Sequence, residues 1–253
     1  MSEPGRIVIV VSAPDRRGTP RLVTSLLALG CALFAATSAA GPQLSPARTA
    51  DEAELVDFGA LVPDIIVDMR YAGSNNFVGQ RIDGYHAPRC YLLKPAALAL
   101  QRVAAALREQ ELRLKLFDCY RPARAVRHFV EWAGDRLDQA RKAEFYPDVD
   151  KSELLGVYIA PVSGHSRGAT VDLSLAHCEG NLCRELDMGT AYDFFDDLAH
   201  TDAPGIDAGQ RENREILRSA MRREGFSNYE LEWWHYTLLP EPSPDTIFDV
   251  PVR

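Results

Sequence analysis

The stretch Ser163-Gly164-His165-Ser166-Arg167-Gly168-Ala169-Thr170-Val171-Asp172 leaves the backbone few options. Glycines on both sides of His165 let the chain turn tightly and aim the imidazole into a cleft. The residues that follow alternate, with Val171, Leu173 and Leu175 on one face and Thr170, Asp172 and Ser174 on the other. A period of two is the signature of a strand. A Gly-bent loop that runs into a strand brings His165 and Asp172 together. They offer one nitrogen and one oxygen ligand to a borderline-soft divalent ion such as zinc.

A second cluster lies about sixty residues later, Glu232-Trp233-Trp234-His235-Tyr236. His235 completes a set of three protein ligands, the number a catalytic zinc takes while keeping one position open. Glu232 is the candidate general base, taking a proton from the attacking water and carrying it to the leaving amine. The two tryptophans supply an apolar wall that excludes water and strengthens nearby electrostatics. Residues 232–239 read as a strand. Residues three apart in a strand point to opposite faces, so Glu232 must precede it or occupy a bulge.

The rest of the chain mixes helices and strands without a βαβ rhythm. Ile65 to Met69 is β-prone, and Leu112, Leu114 and Leu116 alternate with charged residues as a half-buried strand would. Pro95 sits where a first-turn proline belongs, ahead of an Ala/Leu-rich helix over 96–109. Helices are also expected over 123–132 and 208–224, the last closed by Gly225. The pattern is that of an α+β single domain.

Arg16, Arg17 and Arg21 precede an apolar run from Leu22 to Ala36, followed by small residues up to Ala40. This is the layout of a secretory leader over residues 1–40, cleaved after Ala40. Residues 41–54 then read as a linker and 55–253 as the functional domain. Cleavage removes four arginines and two acids and takes the net charge from −8 to −10. So acidic a chain lacks the basic stripe a nucleic-acid partner demands. No run reaches the length of a membrane span once the leader is gone. Export, to the periplasm, is the expectation.

The leader also takes Cys31, leaving Cys90, Cys119, Cys178 and Cys183. An even number in an exported chain suggests disulfides. Three connectivities are possible, and Cys178–Cys183 with Cys90–Cys119 is favoured. Four buried thiols are the alternative.

The segments S163-G-H-S-R-G-A-T-V-D172 and E232-W-W-H235 resemble the metal-binding motifs of the M15 zinc peptidases. Within them the chain is most similar to the D-alanyl-D-alanine dipeptidases of the vancomycin-resistance type. The resemblance extends to RYAGSNNFVG at 70–79, IDGY at 82–85, FDCYRP at 117–122 and MGTAYDFFDD at 188–197. It implies a central antiparallel sheet flanked by helices, the M15 peptidase/Hedgehog-like fold, and one zinc per subunit on His165, Asp172 and His235. It also implies Glu232 as acid/base and Arg121 as the group that stabilises the oxyanion. Asp193 would receive the ammonium of a small dipeptide, with Ser163, Tyr71 and Tyr85 lining the pocket. Rival functions are a D,D-carboxypeptidase or peptidoglycan endopeptidase of the same superfamily, or a non-catalytic zinc-binding module. The insertion around 178–183 departs from typical relatives and is placed to reshape the pocket rim.

Overall fold

Leu112, Leu114 and Leu116 form the buried face of β5 (Leu112–Asp118). Antiparallel to it runs β6 (Thr170–Glu179), which pairs Leu114 with Leu175 and Leu116 with Leu173. The leucines of both strands therefore share one side of the sheet. The structure is a computed structural model that describes residues 41–180 and 182–253, and the leader expected over 1–40 lies outside the described residues.

The main sheet has the order β3-β5-β6-β9-β8, with β3 at Ile66–Val67, β8 at Phe226–Asn228 and β9 at His235–Leu238. A further strand, β7 (Leu182–Glu185), pairs with the far end of β6. The fold is α+β, but the sheet is mixed rather than wholly antiparallel, because β3 runs parallel to β5. The cause lies in the connection. A parallel pair needs a crossover, and the helix Lys94–Arg108 supplies it, packing on β5 through a stripe that includes Leu100, Val103 and Leu107.

Pro95 lies in the first turn of that helix. The helix Ala123–Gly134 buries Val126, Phe129 and Trp132. The helix Ala208–Arg223 starts at a capping box of Asp207 with Gln210, and Gly225 just beyond it turns at φ +89°. These three match the sequence expectation in place and extent. The strand expected over 232–239 does not, since it begins only at His235. The β-prone run at 65–69 yields just two strand residues.

Two small ribbons close the ends. In one, β1 (Gln43–Leu44) runs beside β10 (Thr246–Ile247); in the other, β2 (Leu55–Asp57) pairs with β4 (Tyr91–Leu93). Residues 41–54, read from sequence as a linker, are thus held against the body, and Ala53 is buried. Disulfides join Cys90 to Cys119 and Cys178 to Cys183. The second closes the β6–β7 hairpin, six residues beyond Asp172 on β6, so about 20 Å from it. None of the described residues of that insertion lines the cleft.

Candidate metal centre and active site

Three neighbouring strands deliver the site at one level. Asp118 on β5 lies opposite Asp172 on β6, which lies opposite His235 on β9. Regular alternation would put Asp118 on the same side as Leu116. Between Leu116 and Asp118 the register slips by one residue against Leu173 and Asp172. A bulge of this kind re-aims a side chain, and it turns Asp118 to the face that carries Asp172.

His165 arrives from the neighbouring 3₁₀ turn, Gly164–Arg167, capped by Ser163, whose Oγ accepts from the His165 amide. Gly168 closes that turn at φ +74°, and a Cβ there would lie 3.1 Å from both Leu55 and Leu93 side-chain atoms. The His165 Nδ1–H donates to the Cys119 carbonyl at 2.7 Å. With its proton committed, the ring presents a bare Nε2.

That Nε2 lies 3.2 Å from Asp172 Oδ1 and 3.3 Å from His235 Nδ1, and His235 Nδ1 lies 3.0 Å from the same Asp172 oxygen. Asp172 is buried, yet its Oδ1 has no hydrogen-bond partner among the described residues. An orphaned buried carboxylate oxygen is costly. Three lone-pair donors turned toward one another leave a bound cation as the partner they lack. Two imidazoles and a carboxylate form a donor set suited to zinc. Burial alone would raise the Asp172 carboxyl; positive charge at the positions of the two imidazoles, which a bound cation equally supplies, outweighs it and holds the carboxyl below the ordinary range.

Glu232 precedes β9. Its carbonyl accepts from the His235 amide at 3.2 Å, and the turn lays the Glu232 carboxylate 3.4 Å from His235 Nδ1. Asn228 holds the turn by donating to the carbonyls of both Glu232 and His235. Burial pushes the Glu232 carboxyl up to about 7, against the pull of His235. Only Trp234 lines the cleft beside it. Trp233 faces away and donates to Thr190, so the apolar wall is one tryptophan rather than two.

Arg121 lines the same cleft. Its Nε donates to Asp118 at 2.9 Å, and its guanidinium lies 5.2 Å from the rings of both Tyr71 and Phe129. Its outer nitrogens reach toward Ser163 Oγ at 3.5 Å and Asp172 at 3.7 Å. Asp118 is fully buried and also accepts from the Tyr85 hydroxyl at 2.5 Å. Burial raises its carboxyl despite the facing guanidinium. Tyr85 is therefore part of the support behind Asp118 and is not a cleft-lining residue.

Asp193 also lines this cleft of about 290 Å³ and sits in the left-handed region at φ +59°. Both of its oxygens lie within 3.1 Å of the Tyr71 hydroxyl. It is buried and has no cationic partner among the described residues. Burial and the nearby Asp172 charge hold its carboxyl well above the ordinary range.

The model of the D-ala-D-ala dipeptidase family of M15 peptidases matches residues 51–253. The chain belongs to that family. It is 43% identical over 194 residues to the D-alanyl-D-alanine dipeptidase of Streptomyces coelicolor, covering 76% of this chain and 95% of the relative. The Enterococcus faecalis D-alanyl-D-alanine dipeptidase is 41% identical over 73% of this chain and 91% of its own length. For the Escherichia coli D-alanyl-D-alanine dipeptidase the values are 32%, 74% and 86%. With its triad of metal-ligating side chains, this M15 family member is a metallopeptidase.

Neither Asp118 nor Tyr192 stands out in the sequence of this M15 member. Asp118 was hidden by the strand pattern, which a bulge breaks. Its sequence signal is the FDCYRP segment, where an acid ends an apolar strand three residues before Arg121. Tyr192 was overshadowed by its neighbour Asp193. Its hydroxyl lies 3.0 Å from Asp172 Oδ2 and 3.0 Å from the Tyr71 hydroxyl.

Proposed function

We propose that this chain hydrolyses free D-alanyl-D-alanine to two D-alanines, with one zinc ion per chain held by His165, Asp172 and His235. The observation that carries this reading is the convergence of three ligand atoms, one an orphaned carboxylate oxygen, beside the separate carboxylate of Glu232. Zinc in such a set supplies Lewis acidity, polarising a carbonyl and easing loss of a proton from water near neutral pH.

Glu232 accepts the proton of the attacking water and returns it to the leaving amine, a role suited to a carboxyl raised by burial. Arg121, locked by Asp118 and two aromatic rings, faces the negative charge that develops on the carbonyl oxygen. A guanidinium already fixed there costs no reorganisation during reaction. Asp193 takes the substrate ammonium, steadied by Tyr71, and Ser163 borders the cleft next to Arg121. A buried carboxylate without a cation favours a substrate that brings its own free amine. That favours a dipeptidase over an enzyme acting on long, capped stem peptides.

The reading extends to location. Residues 1–40 act as a cleaved leader, so the mature enzyme works outside the cytoplasm, in the periplasm. There it meets D-Ala-D-Ala released by wall turnover rather than the cytoplasmic precursor pool. No helix among the described residues is long and apolar enough to cross a membrane. N-terminal sequencing of the exported protein tests this, and an intact residue 1–40 segment on active protein overturns it.

The test of activity is zinc quantification on purified protein together with D-alanine release from D-Ala-D-Ala and from its N-acetyl form. Zinc near one per chain with hydrolysis of the free dipeptide alone is expected. Preference for the capped substrate indicates a carboxypeptidase, and zinc without hydrolysis indicates a binding module.

A further inference from the structure

We propose that the Tyr192 hydroxyl is a positioning group that ties down one oxygen of Asp172, so that this residue meets the metal through Oδ1 alone. The inference rests on the reading of Asp172 as a zinc ligand and adds a residue that motif reasoning does not single out.

Tyr192 is a fixed group. Its ring is 2% exposed, stacks on Phe117 at 4.6 Å between centroids and meets Trp234 edge-on at 5.4 Å. Such packing holds the ring so that the hydroxyl can reach only what lies in front of it. Two acceptors are in reach, Asp172 Oδ2 and the Tyr71 hydroxyl oxygen, each at 3.0 Å. Tyr192 has one proton to give, and a carboxylate is the stronger acceptor. The Tyr71 proton is engaged by Asp193, whose oxygens lie 3.1 and 3.0 Å away. The result is a chain Asp172–Tyr192–Tyr71–Asp193 in which each hydroxyl is directed toward a different carboxylate.

The two oxygens of Asp172 thereby differ. Oδ2 accepts from Tyr192 at 3.0 Å, and the Arg121 guanidinium lies farther off at 3.7 Å. Oδ1 has no hydrogen bond among the described residues and points at the ligating atoms of His165 and His235. A carboxylate turns easily about its last torsion. Without the Tyr192 hydroxyl, Asp172 can swing to offer both oxygens to a metal, or leave Oδ2 buried and unpaired. Groups that orient a metal ligand in this way typically change metal affinity by about 10–100-fold when lost.

Tyr192→Phe removes one oxygen and keeps the ring, and Tyr71→Phe is its companion. Tyr71 contacts Asp193 but not a ligand, so its loss frees no Asp172 oxygen. Zinc affinity of the purified apoprotein is measured by competition with a chelator, and the cobalt(II)-loaded protein is examined by visible absorption. Tyr192→Phe is expected to weaken zinc by about 10-fold or more and to change the cobalt spectrum as the coordination expands. Tyr71→Phe is expected to retain zinc affinity within about 2-fold, below the range for a lost orienting group. Wild-type zinc affinity and an unchanged cobalt spectrum in Tyr192→Phe overturn the proposal. If Tyr192→Phe does not fold, Tyr71→Phe decides, since a loss of about 10-fold or more there contradicts the division of roles. Failure of the underlying zinc reading looks different, because wild-type protein then binds zinc no better than His165→Ala.

Discussion

Asp172 and His235 are direct cross-strand partners on β6 and β9, and their Oδ1 and Nδ1 atoms lie 3.0 Å apart. Neighbouring strands sit less than 5 Å apart, so adjacent registry alone brings these two ligands within reach of one ion. His235→Ala removes a ligand outright. Zinc affinity is expected to fall by more than the roughly 10–100-fold typical of losing an outer partner, with metal analysis after dialysis as the measurement. Retained zinc in this variant would remove His235 from the ligand set.

Glu232 lies 3.4 Å from the same His235 nitrogen but belongs to the preceding turn. Glu232→Gln keeps the shape and loses the base. Zinc content should hold while kcat drops by about 10²–10⁴-fold. Burial lifts the Glu232 carboxyl to about 7, and a bound cation pulls it back toward its ordinary 4.5. The base works deprotonated, so the rate falls as pH drops through that interval. The acid limb of kcat/KM in the zinc-loaded wild type should lie between those values and vanish in Glu232→Gln.

Much of this was legible in the sequence because the ligands sit in local patterns. The glycines around His165, the alternation through Asp172 and the EWWH cluster each act over a few residues. The α+β mixture and the three long helices follow from periodicity and caps of the same short range. What escaped depends on long-range registry. The bulge before Asp118 appears only when β5 is laid beside β6, and it decides which face that acid takes. Tyr85 was expected at the pocket and instead supports Asp118, a contact across 33 positions. Trp233 and Trp234 are adjacent and so point apart, which divides an expected double wall between two sides.

Asp193 carries a stability signature. Its carboxyl is held well above the ordinary range by burial and by Asp172. Above about pH 4 the unfolded chain has lost this proton while the folded chain keeps it. The folded state then binds more protons, so this group's contribution to stability declines as pH rises. Asp193→Asn cannot ionise, and thermal unfolding of the substrate-free variant should show a shallower decline above pH 4. The same variant loses the ammonium's partner. KM for the free dipeptide should rise by about 10–100-fold, the worth of a charged hydrogen bond. An unchanged KM would place the ammonium elsewhere.

The two disulfides should separate in their effects. Chain-entropy reasoning assigns about 2 kcal/mol to the Cys178–Cys183 bridge, which spans 5 positions, and about 3.5 kcal/mol to Cys90–Cys119, which spans 29. Cys119 also supplies the carbonyl that fixes His165. Replacing Cys178 and Cys183 together by serine should lower stability modestly and leave turnover unaltered, since that hairpin lies far from Asp172. Replacing Cys90 and Cys119 should cost more stability and weaken zinc as well. Denaturant unfolding with parallel metal titration checks both, and equal zinc affinity in the two double variants would contradict the link through His165.

Arg214 governs the segment that carries Tyr192 and Asp193. From the helix Ala208–Arg223 its guanidinium donates to the carbonyls of Met188 at 2.7 Å, His200 at 2.6 Å and Leu198 at 2.9 Å. These carbonyls bracket residues 188–200, so one buried side chain fastens both ends of the loop. Burial lowers the Arg214 pKa to about 10, which leaves it charged at neutral pH. Arg214→Met fills similar space and strands the Met188 and Leu198 carbonyls, whereas the His200 carbonyl keeps the Ala203 amide as a donor. Each unsatisfied buried group costs about 1–3 kcal/mol, so the loss of stability should reach at least about 2 kcal/mol. Arg214→Lys keeps the charge but not the fork, and should recover only part of it. Because Tyr192 and Asp193 both ride on the loosened loop, KM should rise and zinc affinity should fall in both variants. A purely global effect would instead lower stability and leave KM of the folded fraction at its wild-type value.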